Sequence, residues 1–215
     1  MAVDAKICGL TTPAAVDAAV GGGAFMVGFV FFAKSPRNLA PLLAKELGKR
    51  VPAGIAKVGL IVDATDDAIA AILAEAPLDL LQLHGHETPE RTAEIRARFS
   101  LPVMKAISVA DAADIAAARA YEAVTDRLLF DAKPPKSMTG ALPGGNALSF
   151  DWGLLKGQHF DRPWMLAGGL HSGNLAAAVR ATGTRAVDTS SGVEDRPGEK
   201  NINKIKEFLA IAQTL

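Results

Sequence analysis

Eight short apolar runs without polar alternation recur along the chain, at 5–10, 25–31, 57–62, 79–83, 103–107, 128–131, 164–167 and 186–189. Strands read this way when both faces are covered, as in a parallel sheet wrapped by helices. The segments between them have helical spacing. The first carries the fullest set of signals: Thr12 as N-cap, Pro13 at the first helical position, Val16 and Val20 four apart, and Gly21 as the C-terminal stop. Others start near Asp66-Asp67, with Ile69, Ile72 and Leu73 following, at Thr88-Pro89, with Ile95 and Phe99, and at Ser172, with Leu175 and Val179. Ile202, Ile205, Phe208 and Leu209 keep the spacing near the end, while Pro41 leaves the start of the helix after the second strand open.

Strand and helix alternating about eight times within 215 residues predicts one α/β domain over 1–215, a (β/α)8 TIM barrel near the small end of its size range. A doubly wound open sheet is the alternative. The one irregular segment, 132–151, contains Lys133-Pro134-Pro135-Lys136, Thr139-Gly140 and Pro143-Gly144-Gly145-Asn146. A loop of that length in a compact domain usually carries function or moves.

Charge and cysteine usage narrow the partners. Lys plus Arg and Asp plus Glu are equal at 23 each, so no excess charge is available to hold a nucleic-acid backbone or an anionic membrane. Binding must come from a local arrangement, and a small molecule is the expected ligand. The lone Cys8 excludes an internal disulfide and a multi-thiolate metal site, and suits a reducing compartment, so a cytoplasmic location is expected. The longest uncharged stretch, 18–33, is shorter than the roughly 20 apolar residues of a membrane span and is broken by Gly21-Gly22-Gly23. Residues 1–6 lack the basic segment and apolar run of a secretory signal.

In a barrel, the C-terminal ends of the strands gather on one face. Polar residues are dense there: Lys6-Ile7-Cys8-Gly9 ends strand one, Lys34-Ser35-Pro36-Arg37 follows strand two, Gln82-Leu83-His84-Gly85 ends strand four, and Asp131 ends strand six. Strands seven and eight end in Gly168-Gly169-Leu170 and Asp188-Thr189-Ser190-Ser191-Gly192. Main-chain N–H groups and hydroxyls of Gly168, Gly169, Ser190, Ser191 and Gly192 can close around an anion, which points to a phosphate ester as ligand. Each glycine loop taken alone also reads as a plain tight turn.

Cys8 alone reads as a small buried hydrophobe, but Lys6 beside it favours the thiolate, a form able to take a proton. Asp131 is either a capping or salt-bridging carboxylate or a proton donor. Strands one and six lie well apart around the ring, so Cys8 and Asp131 are positioned to flank a substrate as base and acid. Arg37, after the restricted Ser35-Pro36 turn, suits a carboxylate if it is not simply solvated. His84 either polarises a substrate oxygen or completes a core hydrogen bond. No metal-ligand spacing, G-x-G-x-x-G or Walker loop is present in the sequence, so neither metal nor cofactor is implied.

Taken together and in order, these motifs resemble the phosphoribosylanthranilate isomerase family almost end to end. The resemblance rests on Lys6-Ile7-Cys8-Gly9-Leu10-Thr11, Gly28-Phe29-Val30-Phe31 with Ser35-Pro36-Arg37, Gln82-Leu83-His84-Gly85 and Leu129-Phe130-Asp131. It continues through Gly144-Gly145 with Phe150-Asp151-Trp152, Leu166-Ala167-Gly168-Gly169-Leu170 and Val187-Asp188-Thr189-Ser190-Ser191-Gly192-Val193-Glu194. It implies a cofactor-free Amadori rearrangement in tryptophan biosynthesis, turning N-(5-phosphoribosyl)anthranilate into 1-(2-carboxyphenylamino)-1-deoxyribulose 5-phosphate. By motif position, Asp131 is the implied general acid, Cys8 the general base, Arg37 the carboxylate anchor, and the glycine and serine loops the phosphate site. His84 and Asp188 are implied as substrate-binding neighbours, and the protein as a monomer or homodimer.

The sequence departs from the commoner family pattern in having no further glycine between Gly145 and Phe150, which bears on loop closure. An ordinary carboxyl with pKa near 4 is ionised at neutral pH, so Asp131 requires burial or a negative neighbour to donate. A thiol with pKa near 8.5 yields only a few per cent thiolate, so Cys8 requires a positive one. The alternatives are the aminoaldose-phosphate isomerase of histidine biosynthesis, whose family has an Asp where this chain has Cys8, and a non-catalytic phosphate-binding barrel.

Overall fold

Each of the eight apolar runs forms one strand of a parallel sheet: β1 (Asp4–Cys8), β2 (Met26–Phe31), β3 (Ala56–Ile61), β4 (Leu80–Leu83), β5 (Val103–Val109), β6 (Arg127–Ala132), β7 (Trp164–Leu166) and β8 (Ala186–Thr189). In this computed structural model, which describes residues 2–135, 137–138 and 142–215, the strands hydrogen-bond in sequence order. β8 returns to β1 through Lys6↔Asp188 and its neighbouring pairs, closing a barrel rather than leaving an open sheet.

The lack of polar alternation follows from two apolar faces. Ile7, Val27, Phe29, Leu81, Leu83, Phe130 and Val187 belong to the core under the helices. Met26, Val58, Leu80, Met104, Leu129, Met165 and Ala186 form a second cluster inside the barrel. Register carries this inward row to the polar residues: Lys6 pairs with Met26, Gln82 with Met104, and Asp188 with Lys6. Because side chains alternate with period two, Cys8 lies above Lys6 and Asp131 above Leu129 on the same inner wall.

The helices are α1 (Pro13–Gly21), α2 (Pro41–Gly48), α3 (Asp66–Glu75), α4 (Pro89–Phe99), α5 (Ala112–Ala117), α6 (Leu175–Thr182) and α7 (Ile202–Thr214). Thr12 and Thr88 cap as expected, each accepting from the amide three residues on. Pro41 is the first residue of α2, where its missing N–H removes no intrahelical bond. Two expectations shift. Gly21 is the last helical residue, and the chain turns at Gly22 and Gly23, the latter with φ 77°. α3 starts at Asp66 as expected, capped by Thr65, whereas Asn174 rather than Ser172 precedes α6.

The alternation also fails once. Among the described residues no α-helix stands between β6 and β7; a 3-10 turn at Trp152–Leu155 is found there instead. Pro134, Pro135 and Pro143 disfavour helix in this segment. Phe160 and Trp164 pack on Phe130, with ring centroids 5.0 and 5.6 Å away, covering the outer wall of β6 that a helix would otherwise cover. Lys136 and Thr139-Gly140 of the loop, with Ala141, lie outside the described residues. A hairpin absent from the strand expectations, β9 (Glu194–Arg196) and β10 (Glu199–Lys200), follows β8 and turns at Pro197-Gly198, where Gly198 has φ 88°. No helix among the described residues is long and apolar enough to cross a membrane.

Candidate active site

A cavity opens at the C-terminal ends of the strands. Cys8, Arg37, His84, Asp131, Asp188, Gly168, Gly169, Ser190 and Ser191 all line it. Gly192 does not; it sits against the Leu170 carbonyl, with no room for a Cβ.

At the foot of the cavity, Lys6 is fully buried, with Nζ 3.0 Å from Asp188 Oδ1. Burial pulls Lys6 down, but Asp188 and Cys8 outweigh it and hold the ammonium above the ordinary lysine range. Burial pushes Asp188 up, and Asp131 adds to this, against the pull of Lys6. Burial also dominates at Cys8, pushing the thiol up; Lys6 and Lys200 pull it down without overcoming burial, and Asp188 adds to the rise. The expected influence of Lys6 is therefore present, but the resting side chain is a thiol.

Asp131 is buried and held at both oxygens. Oδ1 accepts from the Ala132 amide at 2.8 Å, and Oδ2 is 3.1 Å from His84 Nε2. Gln82 Nε2 lies 2.9 Å from His84 Nδ1. With that amide donating to Nδ1, the neutral imidazole carries its proton on Nε2 and presents it to Asp131, a tautomer assigned from the network. His84 thus orients the carboxylate, a contact that spacing alone does not disclose.

Arg37 is 4% exposed, so it is not a solvated surface residue. Ser35 Oγ accepts from its amide at 3.1 Å, fixing the turn. Nε and Nη2 bind Glu194 Oε1 and Oε2 at 2.8 and 2.7 Å, and Nη2 also donates to the Gly145 carbonyl at 3.2 Å. Nη1 has no hydrogen-bond partner among the described residues. One edge of the guanidinium is therefore fixed by Glu194 while Nη1 remains for a ligand.

Gly168 and Gly169 have φ of 86° and 62°, and a Cβ on either would come within 2.8 Å of backbone, from Ala132 N and Leu148 O respectively. They let the loop after β7 approach the end of β6. Gly144 and Gly145 bring the loop after β6 over the cavity: a Cβ on Gly144 would lie 2.5 Å from Asp131 Oδ2 and 2.7 Å from His84 Nε2. Glu194, Lys200 and the His84 tether Gln82 were not singled out as site residues from sequence. The Pro197-Gly198 pair signals a turn that could have exposed the hairpin, but nothing in its charge-rich surroundings marks Lys200 as buried.

A family model described as N-(5'phosphoribosyl)anthranilate (PRA) isomerase matches residues 5–210. The chain is 58% identical over 215 residues to the N-(5'-phosphoribosyl)anthranilate isomerase of Rhodospirillum centenum, covering 100% of both. It is 55% identical to the one from Paramagnetospirillum magneticum, covering 99% of this chain and 98% of that one. Among solved structures, phosphoribosyl anthranilate isomerase from Thermotoga maritima superposes with a TM-score of 0.87 at 34% identity, over 99% of this chain and 100% of that chain. A phosphoribosyl anthranilate isomerase in complex with reduced 1-(o-carboxyphenylamino)-1-deoxyribulose 5-phosphate gives 0.84 at 32%, with the same coverage.

Proposed function

The chain belongs to the N-(5'-phosphoribosyl)anthranilate isomerase family, and from that membership we propose how its own residues perform the rearrangement. It is an isomerase of tryptophan biosynthesis acting on phosphoribosylanthranilate, a small-molecule substrate. The observation that carries the assignment of roles is that Cys8, Asp131, Arg37 and the two loops after β7 and β8 face one cavity.

In this reading Asp131 gives its proton to the ribose ring oxygen while the anilino nitrogen's lone pair forms a C=N bond to C1 and the C1–O bond breaks. Cys8, as thiolate, then takes the proton from C2. The released electron pair forms C1=C2 and neutralises the iminium nitrogen, leaving an enolamine that tautomerises to the ketone. The bound substrate needs only positioning and proton transfers, the last of them adding a proton at C1 as the enol O–H proton is lost, with no net oxidation or reduction. Its phosphate lies against Gly168, Gly169, Ser190 and Ser191, with Gly192 shaping the loop behind them. Its carboxylate lies at Arg37, and Asp188, paired with Lys6, forms the floor.

The test of the activity is the decay of anthranilate-type fluorescence when the protein meets freshly generated phosphoribosylanthranilate, corrected for spontaneous hydrolysis. Rapid enzymatic loss is expected; none from well-folded protein would overturn the reading. Arg37→Ala should mainly raise KM, by about tenfold or more, because the carboxylate is bound in both the ground and transition states. An unchanged KM would take Arg37 out of the site.

Loop seating gives a further expectation. Gly144→Ala places a methyl group against Asp131 and His84, so either the loop lifts or the acid shifts. A fall in kcat of about tenfold is expected, since small misplacements of reacting groups are costly. A variant that turns over like the parent would mean that the loop sits elsewhere during catalysis.

A further inference from the structure

Behind the cavity wall, three charged side chains form one closed unit. Glu194 holds Arg37 through both carboxylate oxygens, and Lys200 Nζ donates to Glu194 Oε1 at 2.7 Å. The same ammonium donates to the Ser190 carbonyl at 2.9 Å and to Ser190 Oγ at 3.1 Å, so its three hydrogens are all engaged. Lys200 and Glu194 are almost wholly buried, with side-chain exposures of 1% and 3%. Glu194 is anchored further by Lys204, whose Nζ donates to its main-chain carbonyl at 2.8 Å.

Gly9 completes the junction: a Cβ there would lie 2.6 Å from Arg37 Cδ and 3.2 Å from Ser190 Oγ. Arg37 and Ser190 therefore converge on the residue next to Cys8. Burial lowers Lys200 to about 8 even though Glu194 pulls it up, so the cation is retained at neutral pH. A cation this desolvated, with every donor directed at Glu194 and Ser190, is more than a surface ion pair.

Resting on the assignment of Arg37 and Ser190 to the carboxylate and phosphate ends of the substrate, we propose that Glu194 and Lys200 are positioning residues that join those two ends. Glu194 aims the guanidinium so that Nη1 faces the cavity, and Lys200 fixes Ser190 while holding Glu194 in line. The hairpin β9–β10 is then a brace that sets the span between the two anchors, matching it to a substrate with an aromatic carboxylate at one end and a phosphate at the other.

The experiment compares Glu194→Gln, Lys200→Met and Arg37→Ala with the parent enzyme by KM, kcat, inhibition by inorganic phosphate, and thermal melting. Loss of a charge-assisted buried hydrogen bond corresponds to roughly ten- to a hundredfold in binding. Glu194→Gln should raise KM by about tenfold, with kcat falling much less and phosphate inhibition kept. Lys200→Met should raise KM and also weaken phosphate inhibition by a similar factor. If either variant fails to fold, the other carries the test from its own end. Folded variants with parental KM and phosphate inhibition, or with kcat lowered while KM stays the same, would overturn the proposal. If Arg37→Ala raises KM while Glu194→Gln does not, the brace alone falls; if Arg37→Ala itself leaves KM unchanged, the assignment of Arg37 falls and the brace with it.

Discussion

Asp131→Asn is expected to lower kcat by at least about 100-fold, the usual worth of a positioned proton-transfer group. The substitution is close to isosteric. The amide oxygen can still accept from the Ala132 N–H, and the amide nitrogen can donate to His84 Nε2 once the ring proton moves to Nδ1, where Gln82 can turn its oxygen toward it. The buried shell is thus preserved, and what is lost is a proton that can leave for the ribose oxygen. KM and melting temperature should change little, so the defect is read in kcat alone. Near-parental kcat in folded protein would remove Asp131 from the acid role and leave ring opening to another donor.

Why the barrel was legible while parts of its mouth were not follows from the range of the interactions. Apolar runs such as 25–31 and 103–107 report burial on both faces, a local property of each strand, and they recover β2 and β5 to within one or two residues. Thr88-Pro89 likewise holds the start of α4 within two residues. The prolines of 132–151 mark the missing helix after β6 locally, but what covers the strand in its place is a tertiary matter: Phe160, thirty residues beyond Phe130, packs on it, and no local pattern announces that pairing. Cys8, Arg37 and Asp131 were legible because strand ends in a barrel converge. Glu194 and Lys200 were not singled out, because their segment alternates charges around Pro-Gly and reads as solvated. Glu194 pairs with Arg37, 157 residues away in the chain, and Lys200 joins that pair through Glu194.

Cys8 is subject to the same difference between local and long-range effects. Lys6 two residues earlier predicts a favoured thiolate, but burial is a property of the whole wall, and it pushes the thiol up. If Cys8 is the base, its active form is therefore the minor one at neutral pH, and kcat should climb as pH rises toward the raised thiol pKa, levelling only above it. The sign is fixed by the role: an acid would lose activity over the same range. Cys8→Ala should lower kcat by at least about 100-fold and abolish this alkaline limb, because no thiolate remains to titrate. The two readouts separate base chemistry from packing. A methyl group in place of the thiol leaves a small void in the wall and can lower stability, yet a packing defect alone would scale the rate and keep the parental pH profile. A Cys8→Ala enzyme that retains the rising limb would assign that limb to another group and end the case for Cys8 as the base.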